Sequence, residues 1–344
     1  MSADRSDRRR DVIILEPWLD QARSLARFLR RYDKQSRVIG AITSEEPIPI
    51  SLRPFHELRR KSMDELLALS DDNVVFPTGY LSTWTFVRMK GGIQVGGSHF
   101  REENLRAYDK VWTLRTADEL GIPIPLQLSD PGSMERFPVF YKSRTEGSHR
   151  RGIARSMAEL EALEERESLI FQENIATPFF YGVYFLADEG EIVTDLTVRS
   201  LRETPPTGGS SVVMEPFHHP LLLDYTRRMV ERMDYSGWGM TEFKSHPSRD
   251  DFVFMELNAK LCASVELLFL LRPQFLGRLF GISYEPRDVG RIVFADRLLD
   301  YGLREYLAGI VRHSGSHFVE LYPSLRRALG MAAGTSIQAV RQRS

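Results

Sequence analysis

The chain has 344 residues, of which 42% are hydrophobic and 27% charged, with a formal net charge of −1. That length allows two or three packed subdomains, and near-neutrality removes the basic field that would argue for nucleic acid or an anionic membrane surface. A single cysteine, Cys262, excludes a disulfide framework within the chain and fits a cytoplasmic setting.

Residues 1–10 read as a disordered, basic leader without the apolar stretch of a secretory signal. Val12–Leu15 is a short apolar strand, Leu19–Arg31 an amphipathic helix with Leu25, Phe28 and Leu29 on one face, and Val38–Ile42 the next strand. This β-α-β order predicts a parallel sheet. Ser62 and Glu65 form a capping-box signature opening a helix to about Leu69. Val74–Phe76 is a further strand. The nearby aromatics Phe76, Tyr80, Trp84 and Phe86 read as core, with an acceptor pocket as the alternative.

A helix is predicted from about Glu102 to Leu120, stopped by Gly121 and Pro123, and Ile122–Met134 reads as a linker. Phe137–Lys142 is a strand running into the polar turn Thr145–Gly152 (TEGSHRRG). Ser156 and Glu159 give a second capping box, opening a helix to about Arg166. Strand, loop, then helix is an order in which backbone N–H groups can close over phosphates, but this loop matches no phosphate-binding glycine motif. Leu169–Ile175 is a strand, and Tyr181–Ala187 with Ile192–Leu196 is a hairpin. Arg199–Ser211 (RSLRETPPTGGSS) is either a site for phosphoryl oxygens, which guanidinium forks and close glycine amides suit, or an exposed loop. His218–Met233 is a helix, with His218 and His219 at the surface. Cys262 reads as a small core residue. The longest apolar run, Val265–Leu271, ends at Arg272 and Pro273, far too short to span a bilayer.

The most informative stretch is Gly237–Lys260, GWGMTEFKSHPSRDDFVFMELNAK. Met240–Lys244 and Phe252–Asn258 are strand-like around a polar turn. Centred near Arg249, that turn sets Glu242 opposite Glu256, with Asn258 on the same face. Facing carboxylates destabilise a hairpin. A divalent cation between them reverses the sign, and these hard oxygen ligands suit Mg²⁺ with phosphates completing its shell. The alternative is a solvated acidic face.

Together the segments AYDKVWTLRTADELGIPIP, FPVFYKSRTEGSHRRGI, IFQENI, TDLTVRSLRETPPTGGSS, MTEFK and FMELNAK resemble the ATP-grasp superfamily. The branch is that of carboxylate–amine ligases, of the carbamoyl-phosphate synthase large-chain and D-aspartate ligase kind. The resemblance runs from about Tyr108 to Gly281. It implies an α/β protein: an N-terminal parallel α/β pre-grasp domain (11–121), an α+β grasp domain (122–285) whose two subdomains (about 135–176 and 177–285) hold ATP between them, and a helical extension (286–344). Lys110 resembles the lysine at the end of the pre-grasp helix that reaches the nucleotide phosphates, and Lys142 the strand lysine on the α-phosphate side. Thr145–Gly152, with Glu146, Gly147, Ser148 and Gly152, resembles the phosphate-covering loop. Gln172, Glu173 and Ile175 resemble the adenine hinge. Arg199, assisted by Arg202, matches the basic position supporting the γ-phosphate, and Lys260 stands where many members have arginine. Glu242, Glu256 and Asn258 match the ligands of Mg²⁺ or Mn²⁺. The acid that often holds the ribose past the hinge is not evident, since Phe179 and Phe180 occupy that region.

The resemblance implies ATP-dependent activation of a substrate carboxylate as an acyl phosphate, then amide formation with an amine. A non-amine acceptor, as in kinase- or carboxylase-like members, is an alternative, as is a nucleotide-binding module without turnover. The expected partners are small molecules, with no nucleic acid or membrane. Leu298–Val311 and Leu321–Met331 read as amphipathic helices, open to capping the grasp domain, binding the second substrate or forming a homodimer contact.

Overall fold

Two strands, β1 (Asp11–Leu15) and β2 (Arg37–Ile42), are apolar on both faces and almost wholly buried, as parallel strands covered on both sides must be. In a computed structural model of the chain, which describes residues 11–43, 54–128, 137–147, 150–177, 179–205, 209–246, 248 and 250–319, they join β3 (Glu57–Arg60) and β4 (Val74–Phe76) in a parallel sheet of order β3-β2-β1-β4. The expected β-α-β start is present, with helix Asp20–Tyr32 between β1 and β2. Helix Met63–Leu69 carries the full capping box: Ser62 Oγ accepts from Glu65 N, and the Glu65 carboxylate accepts from Ser62 N. Helix Tyr80–Lys90 and the hairpin β5 (Gly92–Val95) and β6 (Ser98–Arg101) follow. Phe76 and Phe86 are core, while Trp84 stays 37% exposed.

These elements belong to the first of two units, residues 1–102 with 260–288. The returning segment supplies helices Glu266–Leu271 and Pro273–Phe280. Phe269 meets Phe28 edge-on at 5.3 Å, and Phe280 lies 5.7 Å from Phe76. Full burial of a ring such as Phe76 or Phe269 contributes roughly 1.5–3 kcal/mol. Cys262 is buried here.

The second unit is residues 103–259 with 289–344. Its smaller sheet has the order β8-β7-β9, from β7 (Val139–Ser143), β8 (Arg151–Ala154) and β9 (Leu169–Glu173), all antiparallel. Its larger sheet has seven strands: β10 (Phe180–Asp188), β11 (Glu191–Thr204), β12 (Ser210–Pro216), β13 (Gly237–Ser245), β14 (Phe252–Asn258), β15 (Ile292–Phe294) and β16 (His317–Val319), in the order β14-β13-β10-β11-β12-β15-β16. Helix Pro220–Arg232 covers one face of this sheet, where Thr226 and Thr241 share a buried 2.6 Å hydroxyl contact.

The division departs from the expected boundaries, because residues 260–288 return to the first unit. The segment after residue 286 is not only helical: β15 and β16 extend the large sheet beside helix Leu303–Arg312. The leader and the expected helix Leu321–Met331 lie outside the described residues. Among the described residues no helix is long and apolar enough to cross a membrane.

Candidate functional site

The hairpin β13–β14 sets the site. Glu242 pairs with Glu256 and Met240 with Asn258, and the register shifts between Glu242 and Phe243, so Met255 is the extra residue of a bulge beside the carboxylate pair. Bulges of this kind re-aim side chains next to sites. Asn258 Nδ2 donates to Glu242 Oε1 at 2.8 Å, leaving the amide oxygen as a further ligand. Burial and then the Glu256 charge push the Glu242 carboxyl well above the usual carboxylate range.

Two lysines answer Glu256. Lys142, on β7 and only 6% exposed, donates to Met255 O at 2.8 Å and to Glu256 Oε2 at 3.3 Å. Burial lowers its pKa, against the Glu256 charge that favours the ammonium. Lys110 Nζ lies 3.2 Å from Glu146 Oε2 and 3.8 Å from Glu256 Oε2. Lys110 opens its helix rather than ending one. The predicted 102–120 helix is a 3-10 segment, Glu102–Tyr108, followed by the α-helix Lys110–Glu119. Asp109 breaks it as an N-cap, accepting from Val111 N and Trp112 N, which is the backbone competition that short acidic side chains offer. Arg144 bridges Asp109 at 2.8 Å and ties this corner to the end of β7.

The described ends of the expected covering loop continue the antiparallel pair β7 and β8. Thr145 bridges Asp109, Glu146 takes Lys110, Gly147 has φ 100°, and Gly152 is already in β8 opposite Tyr141. Ser148 lies outside the described residues. Only half of the second capping box forms: Ser156 Oγ accepts from Glu159 N, but the Glu159 carboxylate accepts from Arg155 N, and the helix is short, Met157–Glu161.

At the hinge, Gln172 is fully buried with its Nε2 donating to Gln127 Oε1 at 3.2 Å, and Glu173 accepts from Leu126 N at 2.9 Å. Ile175 O accepts from Lys244 Nζ at 3.1 Å. Lys244 stands two residues from Glu242 on the same face of β13 and was legible from alternation alone. Glu203, a second residue not anticipated, ends β11 within electrostatic reach of Lys244, Arg151 and Glu242.

Two predicted cations, Arg199 and Arg202, are committed to carboxylates other than the facing pair. Within the predicted 199–211 loop, residues 199–204 continue β11 and 210–211 begin β12, and Arg199 shares a row with Tyr181 and Phe243. One step along the pleat from Glu242, that row points to the opposite face. There Arg199 pairs with Glu215, which also takes Arg291 at 2.8 Å, and lies over the rings of Phe179 and Phe217. Arg202 pairs with Glu305 at 2.9 Å over the Tyr301 ring. Lys260 falls in the first unit, where its charge acts on Glu16. His219 is not simply a surface residue: its ring packs edge-on against Phe252 at 4.7 Å.

Among the described residues there is no group of three or more His, Cys, Asp or Glu side chains suited to a metal ion. The donor set is two carboxylates and one carboxamide oxygen. An all-oxygen set this small fits Mg²⁺, which keeps several waters and is completed by substrate phosphates. The facing pair, half-buried and held together at an electrostatic cost, fits the group.

No family model matches the chain, and no curated protein matches it by sequence. Solved structures do. The biotin carboxylase of Campylobacter jejuni, solved with a β,γ-ATP complex, is 14% identical with TM-score 0.59 over 81% of this chain and 74% of that one. N5-carboxyaminoimidazole synthase of Aspergillus clavatus, solved with ADP and an aminoimidazole ribonucleotide, is 15% identical with TM-score 0.58 over 80% and 78%. The L-amino acid ligase of Bacillus licheniformis is 13% identical with TM-score 0.54 over 76% and 70%. The chain spans 26% of the longer pyruvate carboxylase of Rhizobium etli, with TM-score 0.58. A parallel sheet followed by a small antiparallel sheet and a large one, matched over most of its length to these enzymes, gives this chain the ATP-grasp fold.

Proposed function

We propose that the chain is an ATP- and Mg²⁺-dependent ligase that activates a substrate carboxylate and joins it to an amine. The observation that carries this reading is the in-register pair Glu242 and Glu256, with Asn258 beside it and Lys142 on Glu256, in an ATP-grasp fold. Glu242, Glu256 and Asn258 would hold Mg²⁺, which supplies charge neutralisation at the phosphates.

The substrate carboxylate oxygen attacks the γ-phosphorus of ATP, and the bond to the β-phosphate oxygen breaks to release ADP. The amine then attacks the acyl carbon, loses a proton, and inorganic phosphate leaves. Phosphoryl transfer asks a protein for positioning and charge compensation more than covalent help. Lys110 and Lys142 supply that compensation; burial lowers the Lys142 pKa, and the Glu256 charge works against that lowering. Arg199 and Arg202, committed to Glu215 and Glu305, hold the sheet instead.

A second reading, a carboxylase-like acceptor, is favoured by the likeness to biotin carboxylase and N5-carboxyaminoimidazole synthase. The test is ADP release from Mg²⁺-ATP with pooled carboxylates, with and without amines, on the wild type and Glu256→Gln. Amine-dependent product mass establishes the ligase. Bicarbonate-dependent ADP release without an amine favours the second reading, and full activity of Glu256→Gln overturns the metal assignment.

A further inference from the structure

The face of the large sheet opposite the carboxylate pair gathers charge that the chemistry above does not use. Val213 pairs with Val293 and Met214 with Ile292, so the register continues to Glu215 beside Arg291, while Arg199 pairs with Glu215 from the other side. Glu215 accepts from Arg199 Nε at 3.1 Å and from Arg291 Nη2 at 2.8 Å. Arg202 pairs with Val213, two residues along β12 on the same face and roughly 7 Å away. It donates to Glu305 at 2.9 Å, and Arg312 Nη1 lies 3.8 Å from the same carboxylate oxygen. In these pairs four guanidiniums share two carboxylates, an excess of two positive charges on a chain whose net charge is −1.

Aromatic rings hold these guanidiniums in place. Arg199 lies 5.2 and 5.1 Å from the ring centres of Phe179 and Phe217, and Arg202 lies 3.9 Å from that of Tyr301. A ring beneath a guanidinium plane orients its fork and limits its hydration. The turn after helix Leu303–Arg312 closes one end of the cluster, with Ser316 N donating to His313 O and His317 N to Arg291 O, each at 2.8 Å. There Arg291 Nε and His313 Nδ1 are buried and have no hydrogen-bond partner among the described residues. Burial, then the charges of Arg291, Arg312 and Arg202, lowers the His313 pKa. Orphaned polar atoms and crowded like charges both cost free energy, and an anion relieves both. Two excess charges match a dianion, and guanidinium forks match the oxygens of a phosphate.

We propose that Arg202, Arg291, Arg312 and His313 form a binding site for a phosphate dianion, free or carried by a small molecule, on the sheet face away from Glu242 and Glu256. The site stands independently of the ATP-binding reading above. The test is calorimetric titration of inorganic phosphate and of phenyl phosphate, at ionic strength matched with sodium chloride, into the full-length wild type, Arg291→Gln, Arg312→Gln and Lys142→Gln. A hydrogen bond to a charged group corresponds to roughly a tenfold to hundredfold effect on affinity. Both arginine variants should therefore bind phosphate about tenfold or more weakly than the wild type, while Lys142→Gln, altered beside the carboxylate pair, keeps wild-type affinity. Binding of the ester about tenfold or more tightly than the free ion would identify a carried phosphate, and a smaller difference the free ion. Arg312 is 55% exposed, so its variant decides the matter should Arg291→Gln not fold. Wild-type affinity in Arg312→Gln overturns the site. So does a loss confined to Lys142→Gln, which would move phosphate to the carboxylate pair, and so does absence of binding in the wild type.

Discussion

Met255 O and Glu256 both accept from the buried Lys142 ammonium, whereas Glu242 faces Glu256 with a repulsion that Lys142 only partly offsets. The two glutamates should therefore respond oppositely to neutralisation. Glu242→Gln relieves repulsion and keeps the Lys142 pair, so without metal it should be about 1 kcal/mol more stable, a rise of ~2–4 °C in Tm for a protein of this size. Glu256→Gln strips the buried ammonium of its counter-charge and should lower Tm by more than that. Mg²⁺ supplies what the pair lacks: at one hundred times its dissociation constant it should stabilise the wild type by about 2.7 kcal/mol. That gain should be removed by EDTA and absent from Glu242→Gln. Thermal melts with and without Mg²⁺ on the three proteins check both expectations; a Glu242→Gln variant less stable than the wild type without metal would contradict the repulsion.

Elements were legible where their signals are local. The Ser62–Glu65 box and the Gly121 stop depend on neighbours within a few residues, and both formed. Asp109 shows the limit: the same short acidic side chain that fits a helix surface caps a new helix once Arg144 and Thr145 hold it from another strand. The carboxylate pair was legible because period-2 alternation and one turn suffice to set it. Arg199 was misplaced because loop-like composition hid the continuation of β11, and strand pairing put its side chain on the far face. Packing of the C-terminal helix is likewise set by distant partners. Leu298 is fully buried with Val212, Val213 and Val293. A Cβ on Gly309 would stand 2.8 Å from Leu298 Cδ1. Gly309→Ala, worth up to about 1 kcal/mol of helix propensity elsewhere, should here be destabilising. Leu298→Ala should cost roughly 2–5 kcal/mol. In the Leu298→Ala background the added methyl fills vacated space, so the double variant should be more stable than Leu298→Ala alone. Denaturant midpoints of the four proteins give the coupling, and strict additivity would contradict the packing.

At the scale of the molecule, sequence order misleads, because residues 260–288 return to the first unit after the 157 residues of 103–259. Arg27 there forms an ion pair with Glu266 that no local pattern announces. Long-range placement also sets the pH response. Burial raises the carboxyls of Glu16 in the first unit and Glu203 and Glu242 in the second. The folded chain thus keeps protons that the unfolded chain releases, so stability from these groups is present below the ordinary carboxylate pKa and lost as pH rises. Lys142 and Lys244, whose ammonium forms burial also disfavours, act with the opposite sign toward alkaline pH. A single substitution separates the two effects. For Glu203, between an ordinary 4.5 and about 7, the loss amounts to about 3 kcal/mol. Glu203→Gln removes that titration and leaves the lysines in place. Its unfolding free energy relative to the wild type should rise progressively from pH 5 to about pH 7 and level off by pH 8. Urea titrations of both proteins across that range, without nucleotide, measure the difference. A flat difference would mean that solvent reaches the Glu203 carboxylate and that its burial carries no such cost.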